Sequence, residues 1–494
     1  MDQSEKKTIS YHTFYFSFTW DTKDKKIEFE KLVKKLNESN VWKYDNLENR
    51  HISAEEIRWR FQAYQYFHEP VRKAILGDIN QDNNISSSVV RNFKYKDLKK
   101  GEAKYYIEKN DKKYQLFLND IRLKIFNSNV GILIFECENQ EYDNLQDIKA
   151  INEYGRRVIT PFLPIEEQGF QLCADKITVQ IADGISFETD FKNIFKYEEH
   201  LSIKKGLFQY IASFITQILS SENLKFTSYF DEQYEEDQIV IKSALDDRMY
   251  VCCLARSQQL ANEAKKLQIL SNKKEIEIND DEKNILKNIY ELAFIDTDDG
   301  DSCPTLARKI QILKKQVYDR WLEYGTAYVV THHSFLCITS DSEGIDLSVI
   351  LPYLIIYSEM AALCLAQRAS IILFQRELAK VTKNMGEIKK LELFRRRKWN
   401  EKALIRLQEK YIAFRSQIMF FEVTSQEQGV ELYDMLRESL YIEREKENLD
   451  TQMGIAYEAA TIRQGNKWTH WSVLIALLSF IVAIMALILE IIKC

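Results

Sequence analysis

Residues 471–494 read WSVLIALLSFIVAIMALILEIIKC, and this stretch determines how we interpret the rest of the chain. From Trp471 to Leu489 there are nineteen residues without a charged side chain. A helix rises by ~1.5 Å per residue, and the hydrocarbon core of a bilayer is ~30 Å thick. We therefore predict one transmembrane helix over residues 471–492, close to the carboxy terminus.

The charges around this segment predict its orientation. Arg463 and Lys467 precede it, whereas only Lys493 follows it. Cytoplasmic flanks of membrane helices are enriched in Lys and Arg. The first ten residues, MDQSEKKTIS, lack the apolar stretch of a signal sequence. We expect a single-pass protein of the inner cell membrane, tail-anchored in the lipid bilayer, with a cytoplasmic amino terminus.

The small and polar residues of the segment fall on one side of the predicted helix. At about 100° per residue they lie within about 80° of one another. Such a stripe indicates either a close-packing seam with a terminal carboxylate reaching the interface, or the lining of a cation pore with a carboxylate ring at its mouth. The residues concerned are Ser472, Ala476, Ser479, Ala483, Ala486 and Glu490.

The region before the membrane segment predicts long helices, because no proline follows Pro352. Apolar residues repeat at spacings of three and four within 390–423, and a second helix is expected from about Gln426 towards the membrane. Residues 389–422 hold ten Lys and Arg against four Asp and Glu, and residues 427–450 hold three against eight. These opposite charges favour antiparallel pairing. We predict a helical hairpin region over 346–424 and a stalk helix over 425–470.

The first two-thirds of the chain alternates strand and helix patterns. Phe14, Phe16, Phe18 and Trp20 alternate with other residues, which predicts a half-buried strand. We predict an α+β fold, an αβα-type mixed-sheet cytosolic domain over 1–345, followed by the all-α stalk and the single transmembrane helix. Further strands are predicted at 103–109, 114–118, 130–137, 176–181, 237–243, 249–254 and 326–331, and helices at 27–36, 255–270 and 281–294.

Composition and motifs exclude several classes of protein. The chain has 68 Lys and Arg against 74 Asp and Glu, which argues against direct nucleic-acid binding. It has no G-x-x-x-x-G-K-[ST], G-x-G-x-x-G, G-x-S-x-G or H-E-x-x-H motif, so we predict no enzyme activity and no cofactor. The acidic loops that begin at Asp78 and Asp296 do not match a calcium loop, and we assign no metal site. His332 and His333, adjacent in a predicted strand, are expected on opposite faces in structural roles.

One polar cluster is a candidate ligand site. The motif INEYGRRV places Arg156 and Arg157 beside Gly155. Two arginines next to a turn glycine can bind a phosphate group. The alternative is that both arginines form ion pairs with the carboxylates of the preceding segment ECENQEYDN.

The order of a mixed cytosolic domain, a helical hairpin and a long helix entering the membrane resembles the CorA family of divalent-cation channels. The segments LPYLIIYSEMAALCLAQRASIILF and YIAFRSQIMFFEVTSQEQGVELY are similar to the helices that precede the CorA stalk. The resemblance implies a homo-oligomer, a pentamer in that family, whose pore is lined by the first membrane helix. That is where this chain has its stripe from Ser472 to Glu490.

The chain departs from the family in lacking the G-M-N motif and the second membrane helix. It is similar in this respect to divergent CorA-like effectors found beside type III CRISPR systems, which implies a cation pore gated by a nucleotide second messenger in antiviral defence. A divalent metal (magnesium) transporter and a non-conducting coiled-coil membrane scaffold are the alternatives.

Overall fold

The protein is described by a computed structural model. It covers residues 7–21, 29–45, 54–77, 88–96, 98–159, 172–192, 211–228, 238–296, 302–342, 344–386, 393–459, 461, 476–477 and 479.

Fourteen strands of these residues form one mixed sheet. The strands are β1 (Ser10–Asp21), β2 (Trp42–Tyr44), β3 (Val90–Tyr95), β4 (Lys104–Lys109), β5 (Lys112–Phe126), β6 (Val130–Asn139), β7 (Lys176–Ala182), β8 (Ile185–Asp190), β9 (Lys225–Thr227), β10 (Gln238–Ser243), β11 (Tyr250–Arg256), β12 (Val317–Tyr318), β13 (Ala327–Val330) and β14 (Ser334–Thr339).

The helices precede, interrupt and follow these strands. They are α1 (Phe29–Asn37), α2 (Ala54–Tyr66), α3 (Glu69–Ile75), α4 (Leu145–Gly155), α5 (Ser213–Leu219), α6 (Gln258–Leu270), α7 (Asp280–Phe294), α8 (Leu306–Gln316), α9 (Ser358–Gly386), α10 (Leu393–Ile418), α11 (Glu427–Ser439) and α12 (442–459). The predicted α+β class is confirmed. The stalk and the single membrane span stay predictions.

The main path through the sheet runs β12-β13-β14-β11-β1-β6-β5-β4-β7-β8. Most neighbours are antiparallel, whereas β11 pairs with β14 in parallel, as β9 does with β10. The long strand β1 pairs with β6 along one edge and with β11 and then β10 along the other. β5 likewise pairs with both β3 and β4 on one side. The sheet therefore branches at its two longest strands.

β1 differs from the half-buried strand that its alternation predicts. Phe14, Phe16 and Phe18 are at most 1% exposed, and the intervening Tyr15 is also 1% exposed. On the phenylalanine face, α4 lies so close that a Cβ at Gly155 would be 2.8 Å from the Phe14 ring. On the other face, the Tyr15 hydroxyl donates to the carbonyl of Ser358 at 3.3 Å. Helices on both faces bury a central strand completely.

Two stretches of π-helix, Asp346–Ile350 and Tyr353–Tyr357, lead into α9. Together they make a helix, Asp346–Lys383, that is long and apolar enough to cross a membrane. However, 72% of its most apolar window is buried inside the protein, which is typical of a core helix. The predicted membrane segment 471–492 lies outside the described residues except for Ala476, Leu477 and Ser479, whose backbone is helical.

The chain divides into two compact units. The first comprises Met1–Ile372 and Phe414–Ile442, and holds the whole sheet. The second comprises Leu373–Ala413 and Glu443–Cys494. The predicted boundaries at 345, 424 and 470 remain predictions from sequence.

Within the second unit, side chains of the described helices α9, α10 and α12 contact one another. The Tyr411 hydroxyl of α10 donates to Asp450 of α12 at 2.7 Å, and its ring lies 5.3 Å from that of Phe374 in α9. Gln375 of α9 donates to Glu445 of α12 at 3.1 Å. Most of the apolar residues that repeat at spacings of three and four within 390–423 are buried: Leu404, Leu407, Tyr411, Phe414 and Ile418. Phe421, which belongs to the same repeat but lies beyond the end of α10, is 75% exposed.

The helix expected to run on from Gln426 is interrupted. α11 ends at Ser439, Leu440 caps it, and Tyr441 has a φ of 56°, in the left-handed region. A non-glycine residue in this region ends a helix, because the following amides can no longer reach the carbonyls four residues earlier. α12 then begins at 442.

Candidate functional site

A cavity of about 270 Å³ lies where β1, the loop between β10 and β11, the β13–β14 turn and α9 meet. We call it the smaller cavity. All of its lining residues belong to the first unit. Its charged and imidazole side chains come from positions far apart in the sequence: Arg156, Asp246, Arg248, His332, His333 and Arg368.

Arg156, predicted as a ligand residue, lines this cavity. It follows directly on Gly155, the last residue of α4, and is 2% exposed. Its Nε and Nη2 donate to Glu153 at 3.0 and 2.6 Å, and Nη2 also donates to the carbonyl of Ile295 at 3.2 Å. Its buried Nη1 has no hydrogen-bond partner among the described residues. A guanidinium held this way has one terminal nitrogen, with two N–H donors, left to offer.

Arg157, the other predicted ligand residue, does not line the cavity. Its Nη2 donates to the second oxygen of Glu153 at 2.6 Å, and its Nη1 lies 3.8 Å from Asp247. The expected ion pairs therefore form, but with acids other than those of ECENQEYDN. Glu153 lies within the INEYGRRV motif itself, at the i−3 and i−4 positions on which helical residues meet.

The loop before β11 supplies an aspartate and a second arginine. Arg248 donates to Asp246 from Nε at 3.1 Å and from Nη2 at 2.8 Å. Burial opposes ionisation of Asp246, but hydrogen bonding to Asp247 and the charge of Arg248 hold the pKa of Asp246 below its usual value. Burial and the neighbouring Asp246 raise the pKa of Asp247 to about 6. At pH 7 both carboxylates are therefore mainly ionised, and Asp246 is the one that lines the smaller cavity.

His332 and His333 were expected on opposite faces of a strand, and this prediction is wrong. They lie in the turn between β13 and β14, and both line the smaller cavity with ring centroids 5.4 Å apart. A turn does not alternate side-chain direction as a strand does. Burial and the charges of Arg156 and Arg248 lower the pKa of His333 to about 3. Burial and Arg368 lower the pKa of His332, so both rings are neutral at pH 7.

The last arginine comes from α9. Nη1 of Arg368 lies 2.9 Å from Nδ1 and 2.8 Å from Nε2 of His332. Three guanidinium groups therefore line a cavity whose one carboxylate, Asp246, is already paired with Arg248. This excess of positive charge, with neutral imidazoles beside it, suits an anion.

A serine, a histidine and an asparagine form a second buried group whose hydrogen bonds resemble those of a catalytic triad, but this group is not accessible. Nε2 of His12 lies 2.8 Å from Ser10 Oγ, and Nδ1 lies 2.7 Å from Asn152 Oδ1. All three residues are 0% exposed, and none of them lines either of the two cavities described for the first unit. Burial lowers the pKa of His12 to about 4. This chain of hydrogen bonds satisfies buried polar groups and reaches no substrate space.

The remaining predicted site residues are only partly described. Ser472, Ala483, Ala486 and Glu490 lie outside the described residues, and Ala476 and Ser479 are helical. The loop from Asp78 also lies outside them. In the part of the chain that the structure describes, no group of three or more His, Cys, Asp or Glu side chains is arranged to hold a metal ion.

Sequence reasoning missed Asp246, Arg248 and Arg368. The run of charges in LDDRM was a signal that could have pointed to the first two, whereas Arg368 sits alone in an apolar helix. No protein-family model, no curated protein and no solved structure matches this chain, so the site rests on its own geometry.

Proposed function

We propose that the chain is a tail-anchored, homo-oligomeric, CorA-like membrane effector whose cytosolic part binds a phosphate-bearing signal. The observation that carries the proposal is the smaller cavity, where Arg156, Arg248 and Arg368 surround a space with a single carboxylate. Guanidinium groups bind phosphate oxygens through paired hydrogen bonds. The buried and unpartnered Nη1 of Arg156 is a donor for such an oxygen.

The proposed ligand is a nucleotide second messenger. Its phosphate meets the arginines, and the neutral rings of His332 and His333 supply hydrogen bonds without adding a charge that depends on pH near neutrality. The similarity to CorA-like proteins beside type III CRISPR systems supports a role in antiviral defence.

The proposed output is a cation path through the membrane. Copies of residues 471–492 surround the path with Ser472, Ser479 and Ala483 towards its axis, and Glu490 forms a carboxylate ring at the far mouth. Small side chains leave room for ions, and carboxylate rings favour cations.

Gating requires a ligand that binds one conformation better than another. Arg368 lies on α9, whose residues from Leu373 onward belong to the second unit. A phosphate that draws Arg368 away from His332 changes the packing at the middle of this helix. We propose this rearrangement as the step that starts opening.

The test is ion flux through the purified full-length protein in liposomes, with and without a panel of nucleotides that includes one made from ATP and S-adenosylmethionine. A chain truncated before Trp468 is the control without a membrane segment. Flux that needs a nucleotide, and that Arg248→Gln abolishes, supports the proposal. Flux without nucleotide that follows magnesium indicates a transporter instead, and no flux from an intact oligomer indicates a scaffold.

A further inference from the structure

A larger cavity of about 470 Å³ lies elsewhere in the first unit. Its floor is the face of the sheet formed by β1, β3, β5 and β6. Its opposite wall comes from α2, through Trp59 and Ala63, and from the π-helical stretch before α9, through Leu351, Leu354 and Ile355. The wall thus adds apolar surface to a cavity that also has charged lining residues, and the volume is typical of small-molecule sites.

The lining of this cavity carries charges of both signs in pairs, on the sheet and on α2 and α9. Lys94 lies 2.9 Å from Asp120, and Arg60 lies 2.7 Å from Asp45. Arg122 contacts Glu136 and Glu359, each at 2.5 Å, and Lys124 contacts Glu359 at 2.7 Å. Lys100, an exposed residue, adds a further cation to the lining.

Such an array is not explained by stability. Pairs of buried charges contribute little net stability, because removing each ion from water costs about as much as the pair regains. Apolar residues on this face would pack against Leu354 and Ile355 at no such cost. Concentrations of partly buried charges around a cavity are typical of ligand sites.

Arg122 is the centre of the array and is not saturated. Its two terminal nitrogens are used by Glu136 and Glu359, but its buried Nε has no hydrogen-bond partner among the residues that the structure describes. The side chain of Glu136 is 31% exposed, so one side of its carboxylate is open. A donor and an acceptor are therefore both available on the floor.

We propose that the larger cavity binds a zwitterionic small molecule, one that carries a carboxylate, an ammonium group and an apolar side group. Its carboxylate lies at Arg122 and Lys94, its ammonium group lies at Asp120 and Glu136, and its apolar part lies against Trp59. The carboxylates of Asp45, Asp120, Glu136 and Glu359 nearly balance the five cations of the lining, so the cavity favours a ligand without net charge over a polyanion. The smaller cavity, with three arginines and one carboxylate, favours an anion instead. The proposal goes beyond the messenger site and requires no membrane segment.

The test compares three related probes by calorimetric titration of the full-length protein in detergent. L-phenylalanine carries both charges, phenethylamine lacks the carboxylate, and 3-phenylpropionate lacks the ammonium group. We expect L-phenylalanine to bind, and each analogue to bind at least about ten-fold more weakly, because each analogue lacks one of the two charged groups through which L-phenylalanine contacts the lining. Equal binding of all three probes, or no binding of L-phenylalanine at about 10 mM, overturns the proposal.

Two variants locate the binding. Glu136→Gln keeps the size of the side chain but removes its charge. We expect it to weaken the binding of L-phenylalanine at least about ten-fold and to leave the binding of 3-phenylpropionate unchanged. Lys94→Gln is expected to weaken the binding of both of these probes, because both carry a carboxylate. Arg248→Gln, in the smaller cavity, is the matched control and is expected to change neither. If Glu136→Gln and Lys94→Gln fold as the parent does and bind L-phenylalanine with its affinity, the assignment to this cavity is wrong.

Discussion

Arg156 donates from both Nε and Nη2 to the same carboxylate oxygen of Glu153, at 3.0 and 2.6 Å. This geometry fixes the plane of the guanidinium, so that its position does not depend on a ligand. The cost of ordering a long side chain is already met in the free protein. An anion in the smaller cavity therefore meets a preorganised donor.

The first prediction concerns anion binding. Arg248→Gln should weaken the binding of pyrophosphate by at least about ten-fold, because one charged donor of the cavity is lost. Calorimetric titration of the full-length protein measures it. Arg320→Gln is the control, since Arg320 pairs with Glu427 and Glu431 and does not line the cavity. An equal loss in both variants would contradict a specific site.

The second prediction concerns Glu153. This residue is 6% exposed and its carboxylate pairs with Arg156 and Arg157, so Glu153→Gln leaves two buried cations with a weaker partner. We expect the free energy of unfolding to fall by about 3–5 kcal/mol, the usual cost of breaking a buried pair. Denaturant titration measures the change. Glu427→Gln breaks an exposed pair and should cost less than about 1 kcal/mol.

The third prediction tests close packing in the sheet. A Cβ at Gly131, on β6, would lie 2.3 Å from the ring of Phe18, which is fully buried. Gly131→Ala should therefore destabilise the protein by about 1–3 kcal/mol. A Cβ at Gly454, in α12, would meet no atom within 4 Å, and Gly454→Ala should stabilise its helix by about 0.5–1 kcal/mol. Thermal melting of both variants separates the two cases, and equal melting points would contradict the packing of Phe18.

The fourth prediction concerns pH. Burial lowers the pKa of His12 to about 4, below the value of about 6.5 expected when the chain unfolds. Between these values the unfolded chain binds more protons, so stability falls as pH falls. We expect His12 to account for a loss of about 2 kcal/mol between pH 7 and pH 5.

His12→Gln cannot be protonated, and its stability should depend less on pH over the same interval. Denaturant titrations of both proteins at the two pH values measure the difference. An unchanged pH dependence would contradict a neutral, buried His12 as its source.

The fifth prediction concerns the proposed pore. Ala483→Leu should reduce conductance by narrowing the path, and Glu490→Lys should abolish or reverse cation preference. Single-channel recording in planar bilayers measures both. Leu477→Ile, which lies off the small-residue stripe, serves as the control. If all three variants have the conductance and ion selectivity of the parent, residues 471–492 do not line a pore.

The sequence predicted the strands well where side-chain alternation or a long apolar run marks them. The seven predicted segments from 103–109 to 326–331 correspond to β4, β5, β6, β7, β10, β11 and β13. Six strands of the described sheet were not predicted: β2, β9 and β12, whose two or three residues carry no periodic signal, and the six-residue strands β3, β8 and β14. The pairing of β2, β9 and β12 depends on neighbours that are distant in sequence.

The site was less predictable than the fold. Arg156 was identified because a glycine and a second arginine stand beside it, whereas its cavity partners Arg248, His332 and Arg368 follow at intervals of 92, 84 and 36 residues. These positions are brought together by the backbone contacts of Arg156 and Arg157 with the segment before β11, by the pairing of β11 with β14, and by the contact of Arg368 with His332. A single sequence contains no local signal for a contact of that kind.

One face of β1 forms part of the floor of both cavities. Tyr11 and Thr13 line the larger one, and Tyr15 and Ser17 line the smaller one. Two ligands that contact one strand are linked if the binding of either one changes the position of that strand. If filling the larger cavity multiplies the affinity of the smaller by some factor, filling the smaller must multiply the affinity of the larger by the same factor. A metabolite and a messenger bound there would each report on the concentration of the other.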